Sequence, residues 1–346
     1  MAQKVTLADI SREAGVGIAT VSRAMGDHKD VSPATRDRIK AVARQLGYRP
    51  SVAARALRRG GFHVISAIVP DDAWGWWEPV VRSAFETASE AGYQMLVHPV
   101  AGAPGGLAAV IEGLENIPTE GVIVISVPDQ KSVREACDSI GIPGVAIDDL
   151  SQDIHFPSIS AANYSGAVQI TRHLLSLGRS RVVFLRTPAG EADALGGQEL
   201  FIRQREQAYR DVLAGAGIAI DESLIVETAY DETAPRCREL GQLLETSRTF
   251  DAIFCAFDGL AAPAMRELAT RGLRVPEDVA VAGFDDERAA LLVSPQLTTA
   301  RQPYAEMGRA AVELLLQSLS AERPDLKRYE FDTQLIERPS TRAQSQ

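Results

Sequence analysis

Long apolar runs, paired cysteines and catalytic signatures are all missing from this chain. Its 346 residues contain no stretch of 18 or more apolar residues, so no segment reads as a membrane span. The start, Met1 to Thr6, has no apolar core of the secretory kind. The expectation is a cytoplasmic protein with no membrane partner. Three cysteines, Cys137, Cys237 and Cys255, stand at wide spacing with no Cys-x-x-Cys, which excludes a disulfide framework and a zinc cage and leaves core thiols. The five histidines (28, 63, 98, 155, 173) show no metal-ligand spacing, so neither metal nor cofactor is expected. Gly-x-Ser-x-Gly, Gly-x-x-x-x-Gly-Lys-Ser/Thr and His-Glu-x-x-His are absent. The adjacent pairs Asp148-Asp149 and Asp285-Asp286 do not supply a glycosidase's two facing carboxylates, because neighbours on a strand point to opposite faces. The chain is therefore read as a non-enzyme with no catalytic residues.

What is present is an ordinary globular composition, 45% hydrophobic and 24% charged, long enough for two or three domains. The net charge of −10 hides a division. Residues 1–60 carry twelve Lys or Arg against five Asp or Glu, a net of +7, which leaves 24 against 41, or −17, for the rest. A small basic head on a large acidic body points to a polyanion at the head and a different task for the body.

In the head, Thr6 caps a helix whose Leu7, Ile10 and Ala14 share a face, with Asp9 as an imperfect capping-box partner, and Gly15 ends it. A second helix runs from Ile18 to Met25, and this close pair has helix-turn-helix spacing. Ser32-Pro33 starts a third helix with Ile39, Val42, Ala43 and Leu46 inward, stopped by Gly47. Thr20, Ser22 and Arg23 then face outward, where hydroxyls reach phosphates and a guanidinium bonds a guanine edge. Ser51 to Arg59 is helix-prone but too short to stand alone, and it is read either as a helix that forms when held or as a solvated basic linker.

The body alternates strand-like runs (Ile65 to Val69, Tyr93 to Val97, Val122 to Ser126, Val145 to Asp148, Arg181 to Leu185, Ala252 to Ala256, Val279 to Phe284) with helices ending on Gly92, Gly178 and Gly272. Two doubly wound lobes with parallel sheets follow, with a ligand between them at the strands' carboxyl ends. All three tryptophans, Trp74, Trp76 and Trp77, sit together after the first strand, where flat faces suit a sugar or a nucleobase; packing of at least one of them is the plain alternative.

The head run Val5-Thr6-Leu7-Ala8-Asp9-Ile10, Ala14-Gly15-Val16, Ala19-Thr20-Val21-Ser22-Arg23, Val31-Ser32-Pro33-Ala34-Thr35-Arg36, Leu46-Gly47-Tyr48-Arg49-Pro50 and Ala54-Arg55-Ala56-Leu57 resembles the DNA-binding head of the lactose/galactose repressor (LacI/GalR) family. The body continues the likeness at Asn163-Tyr164-Ser165-Gly166, Val275-Pro276-Glu277-Asp278-Val279, Gly283-Phe284-Asp285-Asp286 and Leu297-Thr298-Thr299. The resemblance implies a helix-turn-helix domain over 1–49, a hinge helix and linker over 50–61, and an effector-binding and dimerisation core over 62–346 similar to periplasmic sugar-binding proteins. Lobe 1 is expected at about 62–161 and 295–322, and lobe 2 at about 162–294 and 323–340.

The implied partners are pseudo-palindromic operator DNA, a small-molecule effector and a second copy of the chain. The function implied is a transcriptional repressor, bound to the nucleoid at its operator, whose affinity is set by a carbohydrate. By position, Ile18, Ala19 and Arg23 read bases and Thr6, Thr20 and Ser22 hold the backbone; Tyr48 joins the DNA-binding set. Leu57 wedges into a base step while Arg55, Arg58 and Arg59 lie near phosphates. Gly26 and Ser51 depart from the asparagines usual in the family. For the effector, the resemblance implies Trp76, Asp148, Arg205, Phe257 and Asp285, to which the tryptophan cluster adds Trp77; Phe257 stands where the family has Asn and so exchanges an amide for an apolar face. The alternatives are a nucleobase or nucleoside effector, a regulator without an effector, a plain sugar-binding module, or an enzyme acting in the cleft.

Overall fold

A computed structural model describes residues 5–26, 30–48, 61–70, 77–101, 104–127, 129–149, 153–188, 199–230, 237–246, 249–320 and 325–342. The chain divides into a head, Met1–Phe62, and a body, His63–Gln346. The head holds α1 (Leu7–Ala14), α2 (Ile18–Met25) and α3 (Pro33–Gln45). At its start Thr6 Oγ1 accepts from the Asp9 amide at 3.4 Å while Asp9 Oδ2 accepts from the Thr6 amide at 2.9 Å, so the capping box is complete with Asp in place of the usual Glu. Gly15, at φ 63°, turns the chain from α1 towards α2 in the left-handed region that glycine enters without a Cβ penalty. Ile10, Val21, Ala24 and Ile39 bury a core shared by the three helices.

The body opens with β1 (Val64–Val69), α4 (Glu78–Glu90), β2 (Gln94–Pro99), α5 (Gly106–Leu114), β3 (Val122–Ile125), α6 (Gln130–Ile140), β4 (Gly144–Ile147) and β5 (Ser158–Ala161). The chain then crosses into a second lobe of α7 (Asn163–Ser176), β6 (Val182–Arg186), α8 (Glu199–Gly215), β7 (Ile225–Glu227), α9 (Arg238–Glu245), β8 (Ala252–Cys255), α10 (Ala261–Thr270), β9 (Ala280–Ala282), α11 (Arg288–Leu292) and β10 (Thr299–Arg301). Finally α12 (Tyr304–Leu319) and β11 (Arg328–Phe331) return to the first lobe and β12 (Gln334–Ile336) to the second.

The first sheet has the order β11-β5-β4-β3-β1-β2, parallel throughout. Alternate residues of its strands serve opposite faces: Ile65, Ala67, Val69, Ile123 and Ile125 pack with α4 and α12, whereas Ile68, Val122 and Val124 pack with Leu114, Val133 and Cys137 of α5 and α6. The second sheet, β7-β6-β8-β9, is also parallel, and β10 pairs antiparallel with β12. All three cysteines are buried and unpaired, as core thiols.

The seven expected strands are present with ends moved by up to two residues; β5, β7, β10, β11 and β12 are additional. Each of the five is three or four residues long and holds at most two consecutive apolar residues, too short a run to mark a strand. The expected lobe limits also shift. Leu297 and Ala300 pack in the second lobe's core, so the second crossing falls at Gln302-Pro303 and not near 295. β11 pairs with β5 in the first sheet, which moves the third crossing from about 322 to Asp332-Thr333. The charged Arg328 and Glu330 disguise β11, which as an edge strand needs only part of its surface apolar.

α12 crosses α4 at backbone contact distance, because a Cβ at Gly308 would run into the Val80 carbonyl oxygen and the Ala84 amide nitrogen. Gly308→Ala gains about 1 kcal/mol of helix propensity but overpacks a backbone that has no room to yield, which puts the cost at the upper end of the usual range, about 2–3 kcal/mol. Urea unfolding of the Gly308→Ala variant is expected to show a net loss of about 1–2 kcal/mol; an unchanged midpoint would mean that the two helices part freely.

Candidate functional site

The second helix of the head presents Ile18, 53% exposed, with Ala19 and Arg23, also exposed, while Thr20 and Ser22 are half-buried beside them. The helix can expose these residues because Val21 and Ala24, three apart, carry its packing. Thr6 is exposed at the cap of α1, its hydroxyl donating to Asp9 Oδ2 at 2.7 Å, and Tyr48 is half-buried against the head core. Arg55, Leu57 and Arg58 lie outside the described residues. The result is an exposed face with one guanidinium, of a size that enters a major groove.

In the body, Ser126, Asp148, Asn163, Phe201, Ile202, Arg205, Asp285 and Gln302 line one cavity. Ser126 and Asp148 stand just past the carboxyl ends of β3 and β4, Asp285 lies beyond β9, and Arg205 reaches in from α8. The Arg205 guanidinium is the centre: Nη2 pairs with Asp285 Oδ1 at 3.1 Å, Nε donates to Asn163 Oδ1 at 2.9 Å and Nη1 to the Ala256 carbonyl at 2.6 Å. Its plane lies 3.7 Å from the centroid of the Phe284 ring. Gln302, on the second crossing, donates to the same Asp285 oxygen at 2.6 Å.

Carboxylates outnumber cations here. Asp148 is buried, and burial with the nearby Asp285 charge, opposed by Arg205, pushes its carboxyl up to about 7. Among the described residues its buried Oδ1 has no hydrogen-bond partner. Burial also raises Asp285, against the pull of Arg205 and Gln302. Behind it Asp258 is held well above the carboxylate range by burial, while accepting from Thr299 Oγ1 at 2.7 Å and the Glu287 amide at 2.9 Å. Three lining residues also have left-handed backbones without being glycine: Ser126 at φ 44°, Asp148 at φ 53° and Asp285 at φ 114°. Such strain, about 1–3 kcal/mol each, persists where the site geometry demands it.

Among the expected effector residues, Asp148, Arg205 and Asp285 come together. Two others do not. Trp77 is only 2% exposed, caps the start of α4 and packs into the first lobe's core, so its ring offers no face to a cleft. Phe257, 7% exposed, sits edge-on against Tyr230 with centroids 5.1 Å apart and does not line the cavity; its apolar surface is spent inside the second lobe. Trp76 lies outside the described residues. Ser126, Asn163 and Gln302 are polar lining residues the sequence did not single out. Asn163 opens a motif already noted and Gln302 stands three residues after Thr299, but no residue type or spacing marks either as inward-facing.

The description of bacterial regulatory proteins of the lacI family matches residues 6–51, and that of a periplasmic binding protein-like domain matches residues 171–341. The chain is 31% identical to the HTH-type transcriptional regulator CelR of Thermobifida fusca over 98% of each chain. It is 29% identical to the HTH-type transcriptional repressor CytR of Escherichia coli (strain K12), covering 98% of this chain and 96% of that one. Among solved structures it is similar to a CelR–cellobiose complex, with a TM-score of 0.68 and 28% identity over 97% of this chain and 100% of that one. The lac repressor dimer bound to operator and the anti-inducer ONPF shares the fold, with a TM-score of 0.81 at 24% identity over 98% and 99% of the two chains. Likeness of this extent along the whole length, with a helix-turn-helix head joined to a two-lobed parallel α/β core, shows that the chain belongs to the lacI family of bacterial regulatory proteins, DNA-binding regulators of transcription.

Proposed function

We propose that the chain is a homodimeric, cytoplasmic repressor whose grip on a pseudo-palindromic operator is set by a neutral sugar bound, and not chemically altered, between the lobes of its core. The observation that carries the effector assignment is Asp148 Oδ1, a buried acceptor with no donor among the described residues, on the wall of a cavity where Arg205 and Asp285 already satisfy one another. A hydroxyl supplies the missing donor. An anionic ligand instead meets two carboxylates sharing one guanidinium, and pays for its own desolvation as well. CelR, whose complex holds cellobiose, takes a ligand of this neutral polyhydroxyl class.

In the head, Ile18, Ala19 and Arg23 take the bases, and Thr6, Thr20, Ser22 and Tyr48 the sugar-phosphate backbone. Arg55 and Arg58 lie along phosphates and Leu57 enters a base step when two hinges pair. The cavity touches two of the three crossings, through Asn163 and Gln302, so a ligand there biases the angle between lobes. The hinge is too short to hold its own helix, so a modest change in its support becomes a large change in operator affinity.

The test is operator binding by the full chain, on a duplex enriched by it from a randomised pool, with cellobiose, other neutral sugars, sugar phosphates and nucleosides added in turn. At least one neutral sugar is expected to change the affinity by about tenfold or more, and sugar phosphates to leave it unchanged; no response to any compound would sink the switch. On the same duplex Arg23→Ala is expected to cost about 1–3 kcal/mol selectively, whereas Arg58→Ala weakens all DNA alike. Equal losses on selected and random duplexes for Arg23→Ala would contradict base reading.

Asp148 gives the proposal a pH signature. Its folded pKa lies above its ordinary value, so the folded protein keeps a proton that the unfolded chain releases, and stability declines as pH rises from about 4 to about 7. Asp148→Asn, neutral at every pH, is expected to leave stability little changed at pH 4 and to raise it by about 2–4 kcal/mol at pH 8. Sugar binding by the native chain strengthens as pH rises through 7, because the ionised carboxylate is the better acceptor, facing Arg205 and Asp285 as its charged neighbours. A pH-independent affinity between 6 and 8 would remove Asp148 from the ligand contacts.

A further inference from the structure

Arg23 is not loose on the surface of the head. Its Nε donates to the Ala19 carbonyl one turn back at 3.3 Å, and its Nη1 pairs with Asp30 Oδ2 at 3.1 Å. Asp30 comes from the connection after α2, just before Ser32 caps α3, so the guanidinium is held from its own helix and from the neighbouring segment. Both side chains are about half exposed, 51% and 52%, where an ion pair adds little to stability. Yet an acid beside the proposed base reader works against a head whose net charge is +7 and whose partner is a polyanion. A carboxylate in that place needs a reason other than folding or general attraction to DNA.

Arginine has five N–H donors on a planar fork. Ala19 and Asp30 engage Nε and Nη1, which leaves one hydrogen of Nη1 and both of Nη2 to serve a guanine O6 and N7. Fixing the plane beforehand removes rotamer freedom that the side chain would otherwise lose on binding. We propose that Asp30 is a specificity-determining positioning residue: it orients the Arg23 guanidinium for one base edge and, by its charge, disfavours duplexes on which Arg23 finds no such edge. The inference rests on the reading of Arg23 as a base reader. On a matched duplex the guanidinium stays between Asp30 and the base. On an unmatched one, Asp30 faces phosphates with only a partial counter-charge, so the same residue aids operator binding and penalises random binding.

The experiment measures the affinity of the full chain for two probes, a duplex enriched from a randomised pool by the native protein and a scrambled duplex of the same composition. Asp30→Ala is expected to weaken the enriched duplex about fivefold and to strengthen the scrambled one about twofold. Asp30→Asn, which keeps the shape and removes the charge, moves both in the same directions by less and guards against a folding artefact; Asp30→Glu restores part of the discrimination. In an Arg23→Ala background, Asp30→Ala loses its effect on the enriched duplex apart from the small electrostatic gain. Equal tightening on both probes would reduce Asp30 to a bare charge. A full operator loss repeated in the Arg23→Ala background would place its action elsewhere. If the native protein enriches no sequence at all, the base-reading role of Arg23 falls and the inference with it, an outcome distinct from the other two.

Discussion

A single buried ion pair, Arg205 with Asp285, organises the centre of the body. The two side chains are 6% and 8% exposed, and neither carries its charge alone: Asn163, the Ala256 carbonyl and the Phe284 face surround the guanidinium, and Gln302 reaches the carboxylate. Removing one partner of such a pair typically costs about 3–5 kcal/mol, because the other is left buried and unmatched. What matters more is what the pair joins. Asn163 starts the second lobe after the first crossing, Ala256 and Asp285 follow two of its strands, and Gln302 lies on the second crossing. One guanidinium, directly or through Asp285, therefore ties together strand ends that line the cavity and two of the segments that cross between the lobes.

Around that pair the protein keeps features that a merely stable fold would shed. Ser126, Asp148 and Asp285 hold left-handed backbone conformations at strand ends, and buried Asp148 has an acceptor unmatched among the described residues. Each is unfavourable to the folded chain by itself. Together they put acceptors on one wall of the cavity, the feature on which the proposed polyhydroxyl effector rests. The head follows the same logic on its surface. Asp30 contributes little to folding beside Arg23, and its contribution is to geometry.

How legible all this was in the sequence depends on whether a residue's role leaves a pattern. In the head, Thr6 with Asp9, Gly15 and Ser32-Pro33 are local signals whose chemistry is complete within a few residues, and the structure realises each of them. Strands buried on both faces announce themselves as apolar runs, as in Val64–Val69, whereas Ser158–Ala161 and Arg328–Phe331 complete the same sheet with serine and charged residues. Those contacts are set by the sheet's edge and by a segment returning from far along the chain. The family resemblance implied Asp148, Arg205 and Asp285, which line one cavity, and by the same reasoning Phe257, which does not; Trp77 was placed in the cleft with the tryptophan cluster. An aromatic ring gives no sign of which way it points, and both rings turn into the lobes. Gln302 and Ser126 were invisible for the converse reason, being common polar residues made important by position alone.

The account joins one cleft to one DNA-reading head, and reciprocity is its most direct consequence: a ligand that alters operator affinity must itself bind differently to free and operator-bound protein, by the same factor. Calorimetric titration of cellobiose, or of another neutral sugar that changes operator binding, into the free full-length chain and into the chain saturated with its enriched duplex measures this. Two dissociation constants are predicted, differing by about tenfold or more, with sugar binding lost in both states when Arg205 is replaced by Met. Identical constants in the free and DNA-bound states would contradict the coupling, and unimpaired binding by the Arg205→Met protein would move the effector away from the buried pair.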